Sequence, residues 1–246
     1  FTIPEAYTRR LSKPLSYLTH ILGHECAGSI ADTLINKGYA LGVNASYDHT
    51  LDYFTNIELK ISLTDTGLQN IDAILETVGD YLHLLRQTPP QSWIYEEIRK
   101  MAELRFNYRS NSSPSDTAVE IAAALRDYDF EDVLSGGYTY KSFDADYIKQ
   151  TTDMLNENNV QVYLSSKKIP ADQCSSTEPI YGTKYSVTTM TDRQKELLRG
   201  KQNPELRLPH PNACLPSSPV LLTSPSDGII AEKLSVQPTK LIDEEM

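Results

Sequence analysis

At 246 residues, 39% of them hydrophobic and 23% charged, the chain can bury a sizeable core as one large domain or as one domain with a tail. A net charge of −10 argues against nucleic acid as a partner, because phosphate binding needs clustered Lys and Arg, and no apolar run is long enough to span a membrane. Three cysteines, Cys26, Cys174 and Cys214, are odd in number and widely spaced, which suits free thiols in a reducing, cytoplasmic setting better than a disulfide framework. The opening Phe1-Thr2-Ile3-Pro4 has neither an initial Met nor a signal-like apolar region, so the chain reads as a piece excised from something longer.

In chain order, Thr2-Ile3 reads as the end of a strand stopped by Pro4, and Leu15 to Lys37 as one helix ended by Gly38. Tyr39–Ser46 and Tyr53–Thr64 read as an antiparallel pair of strands. The second alternates through Phe54, Ile57, Leu59, Ile61 and Leu63, with one slip of register near Thr55-Asn56. Asp65 can cap a helix whose apolar stripe runs from Leu68 to Leu85 until Pro89-Pro90 breaks it. From about Gln91 a further helix carries Trp93, Ile94 and Ile98 on one side and alternating charges on the other, a solvated face. Beyond a Ser/Asn/Pro loop, Ser115 or Asp116 can cap a short Ala-rich helix reaching Tyr128. Ser135-Gly136-Gly137-Tyr138 is a turn, Asp144–Asn156 another helix, Val160–Ser165 an apolar strand, and Thr183–Thr188 a last strand. The fold class expected is α+β, one antiparallel sheet covered by a layer of helices over residues 1–202. From Asn203 to Met246 the composition changes. Nine of the 14 prolines fall after Ile169, and the segment reads as an extended C-terminal arm or linker toward a next domain.

The stretch His20-Ile21-Leu22-Gly23-His24-Glu25-Cys26-Ala27-Gly28-Ser29 is the most informative. Read as regular helix, it puts His20 and His24 on one face, as H-E-x-x-H and its inversion H-x-x-E-H require, but Gly23 stands at the inner position where the inverted motif carries its Glu. Glu25 then points about 100° away and cannot serve as base. His49, His83 and His210 carry no ligand spacing, so no metal site and no catalytic residue is assigned. Gly23 and Gly28 point to close packing against another backbone. Neither a phosphate-binding glycine loop nor a nucleophile elbow occurs.

The run Phe1-Thr2-Ile3-Pro4, Tyr17-Leu18 and His20 to Ser29 resembles the second, non-catalytic domain of the insulin-degrading branch of the insulinase (pitrilysin) zinc metallopeptidases, where H-L-I-G-H-E-G-P-G-S-L is characteristic. Further counterparts follow in the same order. They are Pro90-Gln91-Ser92-Trp93, Asp129 to Leu134, Asn158-Asn159-Val160, Tyr181 to Tyr185, and Leu206-Arg207-Leu208-Pro209 with Pro211-Asn212, so the likeness covers about residues 1 to 222. The resemblance implies an antiparallel sheet on a helical layer, and a catalytic H-x-x-E-H with its zinc in a preceding domain, so that this piece alone is inactive. It also implies an exosite that holds the N-terminal part of a peptide by strand addition, here His20, Gly23 and Glu25 with Val43, Asn44, Ala45 and Ser46. Ala45-Ser46 departs from the family's Gly pair, and Tyr47-Asp48-His49 from the residues after it. Peptide substrates and the parent's other domains are the partners implied. Two alternatives stay open: an edge strand that holds no ligand, and a parent that is a catalytically dead scaffold subunit of the same fold.

Overall fold

Alternation of burial along the chain builds a three-stranded antiparallel sheet from β1 (Thr2–Pro4), β2 (Ala40–Asp48) and β3 (Phe54–Leu63), in the order β1-β3-β2. The computed structural model describes residues 1–4, 9–48, 53–110 and 112–216. Ile3, Thr55, Ile57 and Val43 are buried on the inner face, with Leu59, Ile61, Ala45 and Tyr47 packed beside them, while Asn44, Ser46, Glu58, Lys60 and Ser62 face outward. The slip expected near Thr55-Asn56 is not there. Thr55 takes the inward position, Phe54 turns outward, and the alternation then runs unbroken to Leu63. The irregularity lies instead in β2, between Ala40 and Gly42, where Leu41 is pushed out to 76% exposure.

The single helix expected over Leu15–Lys37 is two. α1 (Pro14–Leu22) ends where Gly23 bonds back to Thr19, and α2 (Ile30–Asn36) begins where the Ser29 hydroxyl accepts the Asp32 N–H at 3.0 Å. Between them Gly28 takes a φ of 82°, a value that a helix interior cannot use. Gly38, at φ 69°, does terminate the second helix. The next expected helix is also divided, into α3 (Asp65–Gln69) and α4 (Ile71–Gln87), and its cap is Thr64 rather than Asp65. α5 (Ser92–Asn107) follows, then α6 (Pro114–Asp127), capped by Ser113 rather than Ser115 or Asp116, and α7 (Ala145–Met154), capped by Asp144.

Beyond α7 the expectations fare less well. Val160–Ser165 forms no strand, because no ladder partner lies beside it among the described residues, and Val162, Tyr163 and Leu164 are exposed. The last strand shrinks to β5 (Lys184–Tyr185), paired with β4 (Ser176–Thr177). α8 (Asp192–Arg199) was not expected, although Thr191 and Gln194 form a reciprocal capping box that marks its start in the sequence.

One core joins these elements. Leu18, Ile21 and Leu22 of α1, Leu34 of α2, Ile57 of β3, Tyr81 and Leu82 of α4, Ile94 of α5, Ile148 of α7 and Leu198 of α8 are all nearly inaccessible. Full burial of one such side chain stabilises by roughly 1.5–3 kcal/mol. Residues 1–211 form one compact unit that holds this core, and within it the start of the presumed arm is packed, with Leu206 buried. Residues 212–246 form a second unit, described only as far as 216; Val220-Leu221-Leu222 and Gly228-Ile229-Ile230 lie outside the described residues.

Candidate functional site

The direction of each backbone group on β2 follows from how β3 is paired on its other side. The Phe1 amine donates to the Ile57 carbonyl at 3.0 Å and the Ile57 N–H to the Phe1 carbonyl at 2.8 Å, so Ile57 spends both backbone groups toward β1. Antiparallel ladders alternate between bonded and non-bonded pairs, so Leu59 and Ile61 face that same side. Opposite these three residues stand Tyr47, Ala45 and Val43. Their N–H and C=O groups therefore point away from β3, toward the outer edge of the sheet, where no further strand lies among the described residues. Asn44 and Ser46, between them, use their backbone groups on β3 and present their side chains to the outer face.

The C-terminus of α1 comes down on this edge. A Cβ built on Gly23 would lie 3.1 Å from the Ala45 nitrogen and 3.4 Å from the Ala45 Cβ, so a hydrogen at this position lets α1 approach the strand. The close backbone packing expected of Gly23 is present, and its partner is the edge strand itself. Gly28 packs equally closely, against Arg207, whose N–H donates to the Gly28 carbonyl and whose Nε donates to the Ala27 carbonyl, each at 3.0 Å. With the Gly28 N–H held by Asp32 at 2.8 Å, the loop from Gly23 to Ser29 is fixed at both ends.

Because α1 stops at Leu22, His24 and Glu25 are loop residues, and the helical-face geometry expected of His20 and His24 does not apply. The two rings still meet, edge to face, with centroids 5.2 Å apart. The Cys26 N–H donates to His24 Nδ1 at 3.0 Å, which leaves the neutral ring's proton on Nε2. Burial holds His20 below the usual imidazole range, helped by His24 and Arg105 and opposed by Glu97, so it is neutral at neutral pH. Burial, with the Asp32 charge, also pushes the Cys26 thiol up, away from thiolate chemistry. Glu25 is exposed, and its side chain makes no hydrogen bond or ion pair among the described residues.

Zinc with a catalytic role needs three protein ligands. Here two imidazoles meet, one already accepting a backbone bond, and among the described residues no group of three His, Cys, Asp or Glu could hold a metal. This donor set does not fit zinc. What the arrangement does offer is a pair of outward N–H and C=O sets at Val43 and Ala45, the geometry that binds an extended peptide by strand addition, each bond contributing about 0.5–1.5 kcal/mol. Beyond them the Tyr47 hydroxyl lies 2.8 Å from Ser16 Oγ, which ties the strand to α1.

Two family models account for the chain: residues 1–102 match the one described as the peptidase M16 inactive domain, and residues 106–246 the middle or third domain of peptidase M16. The chain belongs to the M16 peptidase family. It is of the insulinase and pitrilysin type, and the two family domains meet at the end of α5. Insulin-degrading enzyme of Drosophila melanogaster is 30% identical over 218 residues, which cover 88% of this chain and 22% of that protein. The A-factor-processing enzyme of Saccharomyces cerevisiae is 32% identical over 219 residues, 86% of this chain and 20% of the relative. The crystal structure of pitrilysin superposes with a TM-score of 0.80 at 22% identity, over 89% of this chain and 23% of that one. The M16 chain described here thus spans about a fifth to a quarter of the relatives it matches.

Proposed function

We propose that this M16 segment is a non-catalytic part of a zinc metalloendopeptidase, one that helps to enclose peptide substrates and anchors them on the β2 edge. Zinc and the H-x-x-E-H that binds it are assigned to a preceding domain of the parent. The observation that carries the reading is the outward backbone groups at Val43 and Ala45, with Gly23 laid against Ala45 so that no side chain crowds the edge. An extended peptide adds there as a further strand, Glu25 takes up its α-amine, and neutral His20 lines the end of the helix without repelling that amine. Ala45-Ser46 departs from the family's two glycines, and Ala45 turns its methyl inward, away from the edge.

The test is Ala45→Pro in the full-length enzyme. Because the Ala45 N–H does not take part in the β2–β3 ladder, proline removes an edge donor without breaking a ladder bond, while its ring distorts the strand locally where Gly23 lies close. Turnover of a long peptide that reaches both the edge and the zinc is expected to weaken by ~1–3 kcal/mol in kcat/KM, and that of a short chromogenic peptide to stay nearly unchanged. Equal losses on both would make the strand a support of the fold alone. A full-length protein with no peptidase activity at all would move it to the scaffold class.

A further inference from the structure

The bulge at the start of β2 puts two consecutive residues on one face of the sheet. Ala40 and Val43 are both buried on the inner side, so Leu41, next to Ala40, and Gly42, next to Val43, both turn to the outer face. The rest of that face along β2 is polar, with Asn44 and Ser46, and so are the β3 residues opposite, Ser62, Lys60 and Glu58. Leu41 stands beside them on the edge strand, 76% exposed.

The fold itself has no use for a glycine at position 42. Gly42 has no positive φ, and a Cβ built on it meets no atom within 4 Å among the described residues, so neither the backbone nor crowding excludes a side chain. Glycine inside a strand weakens it, and it often marks a place where a ligand comes close to the backbone. Bulges likewise re-aim side chains beside binding sites. Gly42 pairs with Ser62, so its own backbone groups are used on β3. A peptide added antiparallel beside Val43 and Ala45 therefore meets Gly42 in a non-bonded pair, the kind that brings two Cα atoms to about 4.5 Å. The peptide residue opposite Gly42 turns its side chain to the outer face, over the glycine and against Leu41. The one opposite Asn44, two places away along the peptide, meets polar neighbours.

Resting on the reading of the β2 edge as a peptide site, we infer that Leu41 and Gly42 form a side-chain subsite at the start of that edge, which selects peptides carrying a large aliphatic or aromatic residue at one fixed position near the N-terminus. The residue held there gains an apolar partner in Leu41 and covers the Gly42 backbone, so both leave water together. The hydrogen bonds at Val43 and Ala45 hold any extended peptide alike, and Leu41 supplies the discrimination among sequences. Its role is to set specificity and not to act on the scissile bond.

The test uses the full-length enzyme and long peptides that share one cleavage segment and carry Ser at the first six positions, with a single Leu moved through those positions in turn. In wild type, Leu at one position is expected to raise kcat/KM by about fivefold over the all-Ser peptide, and at the two adjacent positions by less than about twofold. Leu41→Ser is expected to bring the ratio at the favoured position below about twofold, and Leu41→Ile to keep it. Each ratio compares two peptides on one enzyme, so a loss of folded protein cancels. A gain at every position alike, or a preference that survives Leu41→Ser, overturns the subsite. Ala45→Pro separates this outcome from failure of the underlying reading. If that variant slows long peptides and spares short ones while no position shows a preference, the edge stands and the subsite falls. Equal losses on long and short peptides remove the edge, and the subsite with it.

Discussion

Residues 1–107 and residues 108–211 belong to one compact unit but are stabilised differently. The first stretch holds nearly all of the deeply buried hydrophobic residues; after Asn107 these are Ile148, Leu155, Leu198 and Leu206 among the described residues. α6 buries none of its residues, and Val119, Leu125, Phe130, Tyr163, Ile180, Tyr181 and Val187 stand exposed. The second stretch is joined to the first through α7 and α8, which pack on α1 and α4, and through the turn around Gly136, while α6 stays apart from the core. Two of these joints can be named. α8 lies against α4 with no side chain between the backbones, and buried Lys13 holds the turn around Gly136. Breaking a joint and loosening the ground between joints should therefore have very different consequences.

The largest effect is expected at Gly79, in the middle of α4. A Cβ there would lie 2.0 Å from the Leu197 carbonyl and 2.8 Å from the Leu198 Cα, and one on Gly200 would lie 2.0 Å from the Gly79 carbonyl. Buried Asp80 completes the joint by accepting the Lys201 N–H at 2.9 Å and Asn203 Nδ2–H at 3.1 Å. Alanine favours a helix interior over glycine by about 1 kcal/mol, but the backbone of α8 cannot yield without leaving Leu198 and Asp80 behind. Gly79→Ala is expected to cost ~3 kcal/mol or more in urea unfolding. A neutral or stabilising result would show that the two helices are not locked.

The same contrast explains what was legible beforehand. Where one face is buried, period carries the information, and the strands from Tyr39 to Thr64 and the stripe from Leu68 to Leu85 are read almost as they stand. Period does not report a break inside an apolar run. Leu15–Lys37 keeps its hydrophobicity across Gly23 to Ser29, and only two glycines and a capping serine show that the backbone leaves the helix there. That error touches His24 and Glu25, which lie in a loop, and not Val43 to Ser46, which do lie on a strand, although only Val43 and Ala45 of these turn their backbone groups to the edge. Val160–Ser165 has the pattern of a strand without the partner, and a pattern cannot form a ladder by itself. α8 was missed for the opposite reason, its apolar content being small and its capping box the main local sign.

A smaller effect, with a pH dependence, is expected at the second joint. Lys13 has a φ of 46° at the start of α1, and its ammonium donates to the carbonyls of Gly136 at 2.6 Å, Thr139 at 2.9 Å and Arg10 at 3.0 Å, beneath the rings of Tyr128 and Tyr140. Burial lowers it from 10.5 to about 8. Since the unfolded chain then holds this proton more tightly than the folded one, the contribution to stability is lost as pH falls through about 8 and is regained as pH rises toward 10.5. Wild type is expected to gain ~1–2 kcal/mol over Lys13→Met between pH 7 and 9.5 in parallel urea titrations. Higher pH is avoided because burial raises the tyrosines here, Tyr95 to about 12, and a raised acid costs stability once the unfolded chain ionises near 10. A difference that does not change with pH would mean that Lys13 keeps its full charge throughout.

The smallest global effect is expected between the joints, in α6. Its start is set by Ser113, whose hydroxyl accepts the Asp116 N–H at 3.1 Å, and removing such a cap ordinarily costs a helix ~1 kcal/mol. With no buried residue of its own, α6 has little to pass on to the core, so the loss should stay local. Ser113→Ala is expected to speed amide exchange within Pro114–Asp127 by about fivefold while the urea midpoint of the whole unit stays put, and Val119→Ser, at 67% exposure, to change stability by less than ~0.5 kcal/mol. A cap variant that lowered global stability by its full helix cost would mean that α6 folds as one with the core, and that the second stretch is held along its length rather than at its joints.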